Sequence, residues 1–372
     1  MKPFAGMSGR RRVAVAAGIV LVGALALATC WPRADPWPAR AVPNVRAAGL
    51  LEWGEDGRLV FGGRDGSTAV DPATGQSSPL PAGELILGRR YDRDRRRFVA
   101  TAFPRGGPDT RAVVWGDAAT GAVAGRFGDA RLQAFHPTFE PDGRSIRVFL
   151  RDVAWPHRIR QVLTRDVATG AEVRRPITGP ARLGAGAPAE VVAPDGRTIA
   201  YVDPAGAGVQ LWDVDADRPL GPAFGAGPPP LAGPSPAIFT PDGQYLVVIC
   251  ADVRAEVRDR AGRLVRAFVL HDGFATEQLA IAPDGRTLAS TGYALPPRGW
   301  PGLAARWLRS LVPIWHVRAS REVVLVDLAS GRRLARAAGV RDVHFAPDGR
   351  RVVTREGDGT YAVRDVPPPP GD

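Results

Sequence analysis

Ala282-Pro283-Asp284-Gly285-Arg286 recurs along this chain. Close copies are Glu140-Pro141-Asp142-Gly143-Arg144, Ala193-Pro194-Asp195-Gly196-Arg197, Thr240-Pro241-Asp242-Gly243-Gln244 and Ala346-Pro347-Asp348-Gly349-Arg350. Glu55-Asp56-Gly57-Arg58 and Arg93-Asp94-Arg95 are worn copies, which brings the number to seven. An aspartate before glycine reads as a tight turn, because the carboxylate accepts backbone N–H bonds while the glycine takes positive φ. Asp56, Asp142, Asp195, Asp242, Asp284 and Asp348 are therefore expected to shape turns and to carry no chemistry.

A second motif runs between these turns, an apolar stretch ending in aspartate and then, in most copies, a small polar turn, as in Asp166 to Gly170. Its aspartates, Asp71, Asp117, Asp166, Asp213, Asp259, Asp327 and Asp365, are 46, 49, 47, 46, 68 and 38 residues apart. Two alternating turns per repeat imply four strands. In the fifth repeat these are Ala237 to Phe239, Tyr245 to Cys250, Val253 to Asp259 and Leu264 to Val269, rich in β-branched and aromatic residues. One sheet of this size cannot bury both its faces, whereas radially stacked sheets bury each face on a neighbour. The reading is an all-β, seven-bladed β-propeller over residues 44–366. The last repeat lacks a fourth strand, so Ala39 to Val42 is expected to supply its outer strand and remove an open edge.

The pattern around Phe239, Pro241-Asp242-Gly243 and Trp212-Asp213 resembles the WD40 repeat family, over about 320 residues in seven copies. That resemblance implies a non-catalytic protein-interaction scaffold. The Gly-His pair that usually opens such a repeat is absent, and His271 is its only candidate remnant.

The ends of the chain carry a different signal. Residues 1–12 hold Lys2, Arg10, Arg11 and Arg12, and Val13 to Thr29 has no strongly polar or charged side chain before Cys30. Residues 13–30 thus read as a membrane-targeting segment, either a spanning anchor or a signal. Leu27-Ala28-Thr29-Cys30 resembles a bacterial lipoprotein box, which makes Cys30 a possible lipidation site. The basic flank keeps residues 1–12 cytoplasmic and sends the repeats outside. Residues 31–43 are a Pro-rich tether and closing strand, and 367–372 a disordered tail. The formal charge is +11, but the arginines are scattered through turns and strands, which argues against a nucleic-acid partner. Cys250 reads as a small core residue.

No motif for catalysis stands out. His136, His157, His271, His316 and His344 fall in different repeats without metal-ligand spacing. Asp213 to Asp217 opens like a calcium loop, but Arg218 occupies the glycine position and Phe224 that of the closing glutamate. Neither a metal nor a cofactor is expected. The departure from the plan is the insertion 293–320 in the sixth repeat, with Trp300, Trp307 and Trp315. Within it, Leu303 to Val312 has helical spacing, with Trp307 on the apolar side and Arg306 and Arg309 opposite. Together with Trp155, His157 and Arg158 of a shorter loop, these residues form the candidate partner surface, for a protein or a glycan. In a four-stranded meander both loops follow second strands, so they share the face opposite the aspartate turns. A tether arriving on the aspartate side would point the insertion away from the membrane. The chain is expected to be a monomeric, membrane-tethered extracytoplasmic scaffold; the alternative is a hydrolase or lactonase-like enzyme with a site at the channel mouth.

Overall fold

The computed structural model describes residues 37–368 except 44, 46–48, 55, 64–65, 80–84, 93, 95, 104–110, 130, 153–158, 179–190, 204–207, 225–236, 251–253, 272–273 and 295–320. Seven four-stranded antiparallel sheets follow one another. From the innermost strand outward, blade 1 holds Gly49–Trp53, Leu59–Gly63, Gly66–Val70 and Ser77–Pro79. Blade 2 holds Leu85–Tyr91, Arg97–Phe103, Ala112–Asp117 and Val123–Phe127, and blade 3 holds Leu132–Phe139, Ser145–Asp152, Ile159–Asp166 and Glu172–Pro176. Blade 4 has Val191–Val192, Thr198–Asp203, Gly208–Asp213 and Arg218–Pro219, and blade 5 has Ala237–Phe239, Tyr245–Ile249, Arg254–Asp259 and Leu264–Val269. Blade 6 has Phe274–Ile281, Thr287–Ala294, Arg321–Asp327 and Arg333–Ala338. Blade 7 is made of Val340–Phe345, Arg351–Glu356, Tyr361–Asp365 and, from the other end of the chain, Arg40–Ala41.

The repeat pattern explains the packing. Four residues after the turn aspartate, strand two of each blade from 3 to 7 begins its core with Ile146, Ile199, Leu246, Leu288 or Val352, and blades 1 and 2 use Leu59 and Phe98. All seven are essentially inaccessible to solvent. Each buried aliphatic or aromatic side chain of this kind contributes about 1.5–3 kcal/mol. The clusters they join lie between blades: Val99, Ala134 and Leu163 link blades 2 and 3, Val247, Leu288 and Val324 link blades 5 and 6, and Trp53, Leu59, Val353 and Tyr361 link blades 1 and 7. Each sheet therefore buries both faces only because it has neighbours.

Arg40 and Ala41 pair with Val363 and Ala362, and the Val42 N–H donates to Tyr361 O at 2.8 Å. Trp37 is buried against Ala289, Leu325, Ala337 and Val352 of blades 6 and 7. Its Nε1–H donates to Asp365 O at 2.8 Å, and Arg364 donates to Trp37 O at 2.6 Å while its guanidinium lies 5.3 Å from the indole. The contacts with blades 6 and 7 thus extend to Trp37, two residues before the strand the sequence predicts. Cys250 also differs from expectation. It is partly exposed in the turn after Tyr245–Ile249, because the strand ends one residue early and the Cys250 N–H bonds to Arg254 O at 2.9 Å.

Candidate functional site

Side chains around the central channel come from the innermost strands, and these strands are irregular. Register shifts interrupt them in blades 1, 2, 3, 6 and 7. A bulge leaves a residue outside the ladder and re-aims its neighbours. Here the re-aimed groups reach the next blade. Glu52 of blade 1 accepts the N–H of Gly88 in blade 2 at 2.9 Å. Burial pushes its carboxyl up, against the opposing pull of that N–H and of the Arg89 charge. Gln278 of blade 6 clamps Val343 of blade 7 through both amide atoms, at 3.2 and 3.3 Å.

The densest clamp spans blades 2, 3 and 4. Arg90 places Nη1 and Nη2 2.8 and 3.1 Å from Nε2 and Nδ1 of His136, and Nη1 donates to Pro194 O at 3.3 Å. His136 Nε2 is 3.0 Å from Ala193 O. Arg90 can only donate, so at least one ring nitrogen is unprotonated and the imidazole is neutral. Burial, and then the Arg90 charge, hold His136 well below its ordinary pKa, although the Ala193 carbonyl pulls upward. Burial likewise lowers Arg90 to about 10. His136 sits at φ 54°, a left-handed conformation costly for a non-glycine residue. A strained, perturbed histidine in a channel is what a catalytic base looks like. Its contacts argue otherwise, because both ring nitrogens lie within hydrogen-bond distance of the Arg90 cation, and among the described residues no carboxylate bonds to it. His136 is a clamp between blades.

A second arrangement resembles a nucleophile, base and acid. His271 places Nδ1 2.7 Å from Glu322 Oε1 and Nε2 2.8 Å from Ser290 Oγ, and Glu322 Oε2 accepts from Arg336 Nε at 2.6 Å. Ser290, His271 and Glu322 are each at 0% exposure. A serine that no substrate reaches cannot attack one. The group is a satisfied polar core that fastens the turn after blade 5 to the second and third strands of blade 6. The His271 remnant singled out in the sequence is thus part of a network whose other members have no local signature.

The aspartate turns are occupied by their own backbone. In Asp56, Asp142, Asp195, Asp242, Asp284 and Asp348, Oδ1 accepts the N–H two residues on, at 2.8–3.0 Å. In blade 2, whose turn has the same length, the capping acid is Asp92, two residues before Asp94, and its Oδ1 accepts from Arg96 and Arg97 N–H at 2.8 and 3.0 Å. Arginines then bind neighbouring turns together: Arg97 Nη2 donates to Gly143 O at 2.5 Å, Arg147 Nη1 to Gly196 O at 3.2 Å, and Arg260 pairs with Asp195 at 2.8 Å. The calcium-like run is spent in the same way. Asp213 caps its own turn, Asp215 pairs with Arg147 and Arg175, and Asp217 binds Thr178 and Trp212. Among the described residues no group of three or more His, Cys, Asp or Glu side chains is placed to hold a metal ion.

The opposite face holds the loops that follow second strands. Tyr293 pairs with Arg321 at the end of blade 6 remote from the Asp284 turn, and residues 295–320 bridge from Ala294 to Arg321 there. Trp300, Arg306, Trp307, Arg309 and Trp315, with Trp155, His157 and Arg158, lie outside the described residues, as does Cys30. Residues 13–30 do too, and among the described residues no helix is long and apolar enough to cross a membrane.

No family profile and no curated protein matches the sequence. The fold is similar to that of the Cps50 (Swd1) β-propeller domain of Myceliophteria thermophila, at 13% identity and a TM-score of 0.55, covering 88% of this chain and 100% of that one. The chain is thus a seven-bladed propeller similar in fold to that domain, at an identity that speaks for the fold alone.

Proposed function

We propose that this protein is a non-catalytic interaction scaffold, tethered outside the cytoplasm to a membrane through residues 13–30, with the aspartate-turn face towards that membrane. The observation that carries the reading is the docking of Trp37 and Arg40–Ala41. Trp37 bonds to Asp365 O, at the end of the third strand of blade 7 where Val366 N–H meets Arg350 O of the Asp348 turn. Trp37 thus lies on the aspartate side, and in this reading the chain before it arrives there. In this reading the Arg40–Ala41 strand locks the ring shut, and the short run before it limits how far the propeller can turn. At most about 3.6 Å per residue is available to an extended chain. The tryptophans of 293–320 then face outward, towards a protein or glycan partner, with aromatic and arginine side chains of the kind that dominate binding hot spots. Residues so placed suit a rigid platform whose inner surface is consumed by clamps between blades.

Protease added to intact spheroplasts tests this arrangement. Digestion of the repeats, with residues 1–12 protected, is the expected result. Protection of the repeats until the membrane is permeabilised would overturn it.

A further inference from the structure

The face opposite the aspartate turns contains a cavity of about 620 Å³, lined by Val45, Arg341, Arg355 and the turn from Gly357 to Thr360. Arg341 falls in the register skip between Val340 and Asp342, so the bulge releases it from the ladder. Arg355 stands opposite Asp342 on the second strand of blade 7, with its Nη1 3.6 Å from that carboxylate, beyond a direct hydrogen bond. The Nε atoms of both arginines are buried without a hydrogen-bond partner. Asp358 Oδ1 is taken by the N–H and hydroxyl of Thr360 at 2.9 and 2.7 Å. A buried, unsatisfied guanidinium donor is costly, and two lining one cavity ask for an acceptor.

We propose that this cavity is a carboxylate-binding site in which Arg341 and Arg355 together hold one carboxylate group. The guanidinium fork matches a planar carboxylate in two-point geometry. Asp342 and Asp358 stand close to the two arginines, so a dianionic phosphate would meet more repulsion there than a monoanionic carboxylate. Val45 supplies an apolar wall for the carbon body. The cavity lies within the size range of small-ligand sites, and is larger than the carboxylate alone requires. The body belongs to a free aliphatic acid or to an acidic peptide side chain.

Calorimetric titration of the purified full chain separates these sources, using pentanoate, an N-acetylated peptide amide with one glutamate, and inorganic phosphate as probes. Saturable binding of pentanoate or of the peptide is expected, the stronger of the two naming the source, with phosphate weaker than either. Arg341→Gln and Arg355→Gln should each weaken the carboxylate by roughly tenfold or more, as loss of a two-point charged contact does. Arg341→Lys keeps the charge without the fork and should weaken it as well, which guards against a glutamine variant that fails to fold. Arg144→Gln, on the aspartate-turn face, should leave binding unchanged. Absence of carboxylate binding, binding undiminished in both Arg341 variants, or a preference for phosphate would each overturn the assignment. The site does not depend on the tethered-scaffold reading, and failure here leaves that reading untouched.

Discussion

The two faces of the propeller treat their polar groups in opposite ways. On the aspartate-turn face, carboxylates cap their own turns and arginines reach into the turn of the neighbouring blade, as Arg97 does to Gly143 and Arg147 to Gly196. On the other face, Arg341 and Arg355 keep buried donors without partners and border a cavity. Saturated polar surface stabilises a fold and offers little to a ligand, whereas unsatisfied donors hold binding capacity in reserve. Arg165 Nε, at the aspartate-turn end of blade 3, is also buried without a partner, so the contrast lies in the cavity, and under the proposed reading it makes the second face the recognising one.

The largest stability effect is expected where the polar core is sealed most completely. Glu322→Ala strands buried His271 and Arg336 without their shared carboxylate, and should cost about 3–5 kcal/mol in denaturant unfolding. A loss below about 1 kcal/mol would mean that the network is not a structural fastening. Trp37→Ala comes next, at about 3 kcal/mol, for a buried aromatic between blades 6 and 7. Unchanged melting of a variant lacking residues 37–42 would contradict the lock proposed for the Arg40–Ala41 strand.

pH sharpens the comparison at the channel. His136 and His344 have depressed values, chiefly through burial. The unfolded chain binds protons more readily than the fold there, so their contribution is complete above the ordinary histidine value of 6.5 and is lost as pH falls below it. The turn carboxylates of Asp71, Asp117 and Asp166 are lowered chiefly by backbone N–H bonds, and their contribution is lost only as pH falls below the ordinary 3.8. Thermal melts should therefore decline in two stages. His136→Asn, which tolerates positive φ, should flatten the upper stage and leave the lower one. An unaltered decline between pH 6.5 and pH 5 would remove His136 as its source. A smaller effect is expected at the turns, where Asp284→Ala should cost about 1 kcal/mol, as for one turn hydrogen bond, and leave partner binding intact.

The seven turns and the strand limits of blade 5 were legible in the sequence because each depends on residues close together, Asp and Gly at the turn and an apolar residue four positions after the aspartate in most blades. Blade 5 follows its reading to within one residue at every strand end. What escaped depends on residues far apart. The network of His271, Ser290 and Glu322 spans 51 residues, and the clamp from Arg90 to Pro194 spans 104. Bulges make both the channel clamps and the freedom of Arg341, and a bulge leaves no spacing signature when the strand around it has few polar residues to alternate. The cap at Asp92 left no such signal, because Asp94 keeps the spacing of the other copies, four residues before Phe98, while the acid that bonds to the turn lies two residues earlier.

Photo-crosslinking in intact cells tests the division between faces most directly. A photoreactive residue is placed at Arg144 or Arg286 in the aspartate turns, and in separate variants at Thr360 or Trp307 on the opposite side. Lipid adducts from the first pair and protein or glycan adducts from the second are the predicted result. Lipid adducts from Thr360 and Trp307, with partner adducts from Arg144 and Arg286, would contradict the account.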